Sequence, residues 1–183
     1  MSVRIVLRLA VAVALVTVPT GCDGQRAPSA RTPEVAMTMT VTSTAFSDGG
    51  DIPRRHTCDG ENLSPPLAFG AIPSGTRELA LLVEDPDAPS GTFVHWVAWG
   101  IDPAKASLAE GESTPGSGTN GFGKVGYGGP CPPRGPAHRY VFIVFALSGR
   151  LDLSGGASAD ELRRAVGTDL LGEGRLTGRY ARA

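Results

Sequence analysis

The chain is short of lysine, of charge of either sign in excess, and of apolar runs long enough to span a bilayer. Two of its 183 residues are lysine, and 17 basic residues face 18 acidic ones. The formal net charge is −1 and the sequence pI is about 6.3. Without a positive excess to neutralise successive phosphates, the chain is not a nucleic-acid-binding protein. The apolar run near the N-terminus, Leu9–Val18, has ten residues, where a membrane-spanning helix takes about 20. Aromatic residues make up 6% and cysteines number three. Glycine (25) and proline (15) are plentiful, with no collagen period. That points to a loop-rich β protein. With 41% hydrophobic and 19% charged residues the composition is globular, and the length of 183 residues fits one domain of ordinary size or a small domain with an appendage.

The appendage is N-terminal. Arg4 and Arg8 precede the apolar run, which ends in Val18-Pro19-Thr20-Gly21-Cys22. A positive n-region, a short apolar core and small residues are a signal peptide. Small residues before a cysteine resemble the lipobox of bacterial lipoproteins, in which the cysteine becomes the lipidated first residue. Residues 1–21 are therefore expected to be removed and Cys22 to be lipidated, making the protein exported and anchored to a cell membrane on its extracytoplasmic side. Asp23 to Val35 is polar, with Pro, Ser and Ala and no periodicity. Residues 22–35 read as the lipidated cysteine and a tether that reaches roughly 40 Å if extended. The folded domain is expected over 36–183.

Within it the patterns are mostly those of strands. Ala36 to Phe46 alternates Met37, Met39 and Val41 with threonines, which is strand period with one wet face. Arg77 to Glu84, Thr92 to Ile101 and Arg139 to Leu147 are apolar on both faces, so the last should be central in a sheet. Gly49 to Pro73 reads as irregular. Thr114 to Gly135 reads as a long loop with eight Gly and four Pro. Ser158 to Leu171 reads as a helix. Ser158 and Glu161 form a capping box, and Leu162, Ala165, Val166 and Leu170 line one face. Leu176 to Tyr180 reads as a short last strand. The expectation is a mainly β protein of two packed sheets with a helix near the C-terminus.

Two nucleotide-binding patterns occur and both fail on context. Gly116 to Gly121 fits G-x-G-x-x-G but lacks a strand before and a helix after it. Gly118 to Lys124 fits G-x-x-x-x-G-K, but Val125 stands where a Ser or Thr must reach a metal. What remains is a polar set on apolar strands. Asp85 continues the face of Leu79, Leu81 and Val83; by alternation His95 shares a face with Phe93, Val97 and Trp99; His138 and Tyr140 share another. Such groups either satisfy one another in the core or meet at strand ends in a pocket. In the second reading two imidazoles and a phenol donate to an anion, with the N–H groups of the Gly-rich loop as a further cradle.

At these residues the chain resembles a known family. Asp85-Pro-Asp87-Ala-Pro, Val94-His95-Trp96, and Gly129-Pro-Cys-Pro-Pro133-Arg-Gly with His138-Arg139-Tyr140 are similar to the phosphatidylethanolamine-binding proteins, and most to their bacterial branch, the Raf kinase inhibitor-like proteins. Thr57 to Asn62, Ser64 to Leu67 and Leu176 to Tyr180 match that branch too. The resemblance covers about residues 43–182. It implies a fold of two antiparallel sheets with a small anion pocket at one end, taking phosphate, acetate or a phosphoethanolamine head group. By motif, Asp85, His95, His138 and Tyr140 would line this pocket, and Gly129, Pro132 and Pro133 would shape its rim. Eukaryotic members inhibit kinases or proteases, so a regulatory binding protein is implied, with no protein partner specified. Phe93 and Val94 depart from the animal pattern, which has an aromatic residue and a second histidine before the matching histidine.

No catalytic residue, metal or cofactor is expected. The competing readings are a hydrolase using the Asp/His set as acid and base, and a metal site from Cys58, Cys131, His95 and His138, which lacks close ligand spacing. Cys58 and Cys131 fall near the pocket in the family's layout and are either bridged, as an exported location allows, or two buried thiols. An anion between imidazoles favours their protonated forms, so affinity should rise as pH falls through roughly 6.5.

Overall fold

The computed structural model describes residues 36–182, so the expected signal peptide, Cys22 and the expected tether lie outside the described residues. The strands are β1 (Met37–Thr38), β2 (Thr40–Thr42), β3 (Leu67–Gly70), β4 (Glu78–Asp85), β5 (Phe93–Ile101), β6 (Ser107–Leu108), β7 (Gly116–Ser117), β8 (His138–Leu147) and β9 (Leu170–Tyr180). One helix, α1 (Ala159–Val166), precedes β9. A six-stranded sheet has the order β1-β9-β8-β4-β5-β7, and a three-stranded sheet the order β2-β3-β6. All pairings are antiparallel except β1 with β9.

The apolar strands behave as their sequences direct. β4, β5 and β8 are buried on both faces because each face of the large sheet is covered. One face packs against the small sheet through Leu79, Leu81, Val83, Phe142 and Val144 with Met39, Val41 and Phe69. The other packs beneath α1 through Ala80, Leu82, Val97, Ile143 and Phe145 with Leu162 and Val166. Burying large side chains of this kind stabilises by about 1.5–3 kcal/mol each.

Five expectations are corrected. The stretch 36–46 is two strands in different sheets, because the chain passes at Met39 from the edge of the large sheet to the small one. The helix is shorter than 158–171. Its capping box forms, with Ser158 Oγ accepting from the Glu161 N–H and Glu161 Oε2 accepting from the Ser158 N–H. It ends at Val166, however, and after a 3₁₀ turn Leu170 opens β9. β9 has 11 residues rather than five, because its glycines admit the crossing N-terminal segment: a Cβ on Gly174 would lie 2.9 Å from Met39, and one on Gly178 2.4 Å from Ile52. The irregular region 49–73 contains β3, and the long loop contains β7.

The register also fixes a direction. His138 lies opposite Tyr180 at one end of the large sheet, whereas Met37 lies beside Gly172 at the other. The domain therefore begins at the end remote from His138.

Candidate functional site

The polar set converges at the His138 end of the large sheet. Asp85, His95 and His138 are 3%, 2% and 8% exposed. Asp85 closes β4 and His138 opens β8, next to β4 in the sheet. The His138 Nδ1–H donates to Asp85 Oδ2 over 2.7 Å. The other oxygen, Asp85 Oδ1, accepts the Asp87 N–H at 2.8 Å, which curls the Asp85-Pro86-Asp87 turn. Asp87 in turn accepts two bonds from the Arg139 side chain, at 2.9 and 2.6 Å, and one from its N–H. The paired guanidinium holds the Asp87 carboxyl down at about 2. The D-P-D and H-R-Y blocks are thus complementary: the first aspartate takes the histidine, and the second takes the arginine on the opposite face.

His95 arrives by a different device. Val83 pairs with Trp96 and Glu84 with Val94, so His95 is the extra, unopposed residue of a β-bulge. A bulge re-aims the side chains around it. Simple alternation would keep His95 with Val97 and Trp99, but those two pack beneath α1. His95 instead turns to the inter-sheet face, its ring 5.1 Å from that of Tyr140 and 5.1 Å from that of Phe93. Its Nδ1 lies 2.6 Å from Gly128 O. A carbonyl only accepts, so Nδ1 carries the proton. Burial lowers the His95 pKa below the ordinary 6.5, partly offset by the Gly128 carbonyl and the Asp85 carboxylate.

Between the two imidazoles lies a cavity of about 150 Å³, lined by Asp85, His95, His138, Pro132 and Pro133, with Ala88, Pro89, Phe93, Phe122 and Cys131 completing its wall. Both Nδ1 atoms are engaged by protein, and neither Nε2 has a protein partner among the described residues. Two of the expected residues stand differently. Tyr140 lies under the cavity rather than in its lining, and its hydroxyl is buried without a hydrogen bond. Burial, with the nearby Asp85 carboxylate, pushes its pKa up. Gly129 shapes the rim from behind: a Cβ there would lie 2.5 Å from His56 O, and its N–H donates to Asn62 Oδ1 at 2.7 Å.

The glycine-rich loop does not cradle an anion with its N–H groups. Those of Gly121, Gly123, Gly126 and Gly128 are bonded to Val94, Asn120, Gly118 and His95 carbonyls. The loop is stitched to the 56–62 segment. Cys58 and Cys131 form a disulfide with Cα atoms 5.4 Å apart, the Cys58 N–H donates to Pro130 O, and Tyr127 Oη donates to His56 O. Both thiols are consumed in the bridge, so they are neither metal ligands nor nucleophiles. Asp59, from the same segment, accepts from Tyr180 and Arg182 and so ties in the C-terminal block. Sequence reasoning missed Phe122, an exposed aromatic that walls the cavity; its only signal was an aromatic between two glycines of a loop.

The fold and site define a two-sheet β protein with a small, histidine-flanked cavity at the ends of its central strands. The family model for phosphatidylethanolamine-binding protein matches residues 42–181. The chain belongs to the phosphatidylethanolamine-binding protein family. It is 46% identical over 151 residues to the UPF0098 protein of Methanothermobacter thermautotrophicus, a match covering 79% of this chain and 99% of that one. It is 37% identical over 185 residues to a protein of Mycobacterium tuberculosis named as a candidate lipoprotein, LppC, covering 91% of this chain and 92% of the relative. Among solved structures, a candidate phosphatidylethanolamine-binding protein homologue of Chlamydia trachomatis superposes with a TM-score of 0.76 at 36% identity, covering 81% of this chain and 100% of that one. The match takes in the whole of that solved chain.

Proposed function

We propose that this protein binds a small anion, a phosphate, a carboxylate or a phospholipid head group, between His95 and His138. The observation that carries the reading is the pair of anchored imidazoles facing one small cavity, each with Nδ1 held by protein and Nε2 free. Asp85 orients His138; on protonation each Nε2 becomes a charge-assisted donor. Pro132 and Pro133 close the wall, and Gly129 keeps their loop against the 56–62 segment. Tyr140 supports His95 from below, ring against ring at 5.1 Å. No serine, threonine or free thiol hydrogen-bonds to either imidazole among the described residues, which favours a binding protein over a hydrolase.

Binding is coupled to proton uptake. Burial lowers the His95 pKa, and an anion beside it would offset that burial and raise it again. Affinity therefore rises as pH falls from the His95 pKa of the bound state toward that of the free state.

We also read residues 1–21 as the export signal, Cys22 as the lipidated anchor and 22–35 as the tether. The match to LppC supports this. It takes in 91% of the chain, about 167 residues, against 148 in residues 36–183, so it extends into the segment before the domain.

The test is a thermal-shift titration of residues 36–183 at pH 5.5 with phosphate, phosphoethanolamine and acetate. A ligand at 100 times its Kd should stabilise the wild type by about 2.7 kcal/mol. That gain should vanish in His138→Ala. If no ligand shifts the wild type, the polar set is a structural network and the anion reading is lost.

A further inference from the structure

We propose that the tip of the 120–126 loop is a membrane-docking element that seats the mouth of the cavity on an anionic lipid surface. What docking serves rests on the anion reading above, but the surface itself stands on separate observations. Three large hydrophobic side chains are exposed among the described residues: Met37, Phe122 at 44% and Val125 at 63%. Two of the three sit three positions apart on one tight turn. Lys124 lies between them. It is one of two lysines in the chain. The other, Lys105, is paired with Glu112, whereas Lys124 has no ion pair among the described residues. Arg134 follows the cavity-lining Pro133, is exposed, and also has no ion pair among the described residues. Unpaired cations therefore flank the cavity on two loops, on a chain whose net charge is −1.

The tip is also held in shape. Asn120, 5% exposed, accepts the N–H groups of Phe122 and Lys124 on Oδ1, at 2.9 and 3.2 Å, and donates from Nδ2 to Gly126 O at 3.0 Å. A buried asparagine bonded to three backbone groups fixes the backbone of the turn that carries the exposed side chains, so little backbone-ordering entropy opposes docking. Phe122 is continuous with the site: its ring stands edge-on to Phe93 at 4.7 Å and to His95 at 5.6 Å.

The composition of the tip selects its partner. A stable protein interface takes about 800 Å² from each side, which two side chains do not provide. Shallow insertion into a bilayer needs only a few apolar side chains beside cations that meet lipid phosphates.

The experiment is vesicle flotation of residues 36–183, which carry neither leader nor Cys22. Vesicles are phosphatidylcholine alone, or with phosphatidylglycerol at about 2:1. The wild type should float with the anionic vesicles, less with the neutral ones, and less as salt rises. Lys124→Glu with Val125→Ser should lower partitioning about tenfold while leaving the phosphate thermal shift unchanged. In Phe122→Trp, tryptophan emission should move to shorter wavelength on anionic vesicles. No flotation of the wild type overturns the proposal, as does flotation that survives the Lys124/Val125 double substitution. It falls equally if His138→Ala alone abolishes flotation, because the cavity then does the binding, or if the loop substitutions dissolve a dimer instead. Flotation that persists where phosphate gives no shift leaves the docking surface standing and removes the anion pocket.

Discussion

Glu84 and Asp85 are neighbours in β4, yet they end the two faces of the large sheet in different ways. Glu84 turns to the helix-covered face and is met by Arg163 of α1. Asp85 turns to the inter-sheet face and is met by His138. An arginine stays charged throughout the physiological range and uses its donors on the carboxylate. A histidine needs only one nitrogen for the carboxylate and keeps the other for something else. The helix closes the first face over Leu162, which is 0% exposed. The second face ends in loops, and between those loops a cavity remains. One strand thus yields a structural ion pair and a candidate site one residue apart, separated by the choice of cation and by what covers it.

The largest expected effect falls on the loops that wall the Asp85 side. Replacing Cys58 and Cys131 by serine frees a loop of 73 residues and should cost about 4 kcal/mol of stability on a loop-entropy account. Equilibrium denaturation would measure it, and anion affinity should fall at the same time because Cys131 belongs to the cavity wall. If affinity is unchanged, the loops hold their shape without the bridge. Next, Leu162→Ala opens the helix-covered face and should cost about 3 kcal/mol, with anion affinity within about twofold of wild type. A larger change in affinity would show that the two faces are coupled.

How much of this contrast was legible in the sequence can be judged residue by residue. The apolar strands, the capping box of α1 and the aspartate and histidines declared themselves through period and motif. His95's face did not, because a bulge is set by pairing with β4 and leaves alternation in its own strand intact. β9 was half hidden: glycines weaken a strand signal, and only the segment crossing them explains their presence. The role of Gly129 is likewise a matter of closeness to His56, which no local pattern encodes. Phe122 looked like one more loop residue until the fold placed its ring against His95.

A smaller effect follows from pH. The folded-state pKa of His95 lies below its unfolded value, so between the two the unfolded chain binds more protons. Stability of the ligand-free protein should therefore fall as pH drops below about 6.5, read as a declining Tm. Saturating phosphate should flatten that decline, and His95→Gln should remove its share of it. A decline that persists unchanged in His95→Gln would assign it to another group. The smallest effect belongs to the other carboxylate. Arg163 is 42% exposed on its side chain, so Arg163→Ala should cost at most about 1 kcal/mol and leave the pH dependence of anion binding as it was. A shift in that pH dependence would mean the Glu84 side is not merely structural.

The direction in which the chain enters the domain sets a limit on reach. Gly172, beside Met37, and Tyr180, opposite His138, are eight residues apart along β9, or about 27 Å. If Cys22 carries the lipid proposed above, the thirteen residues from Asp23 to Val35 would reach at most roughly 40 Å, and the cavity would lie at the end of the domain remote from that attachment. The length of residues 23–35 would then set which surfaces the cavity could meet, and lengthening or shortening that segment would change them.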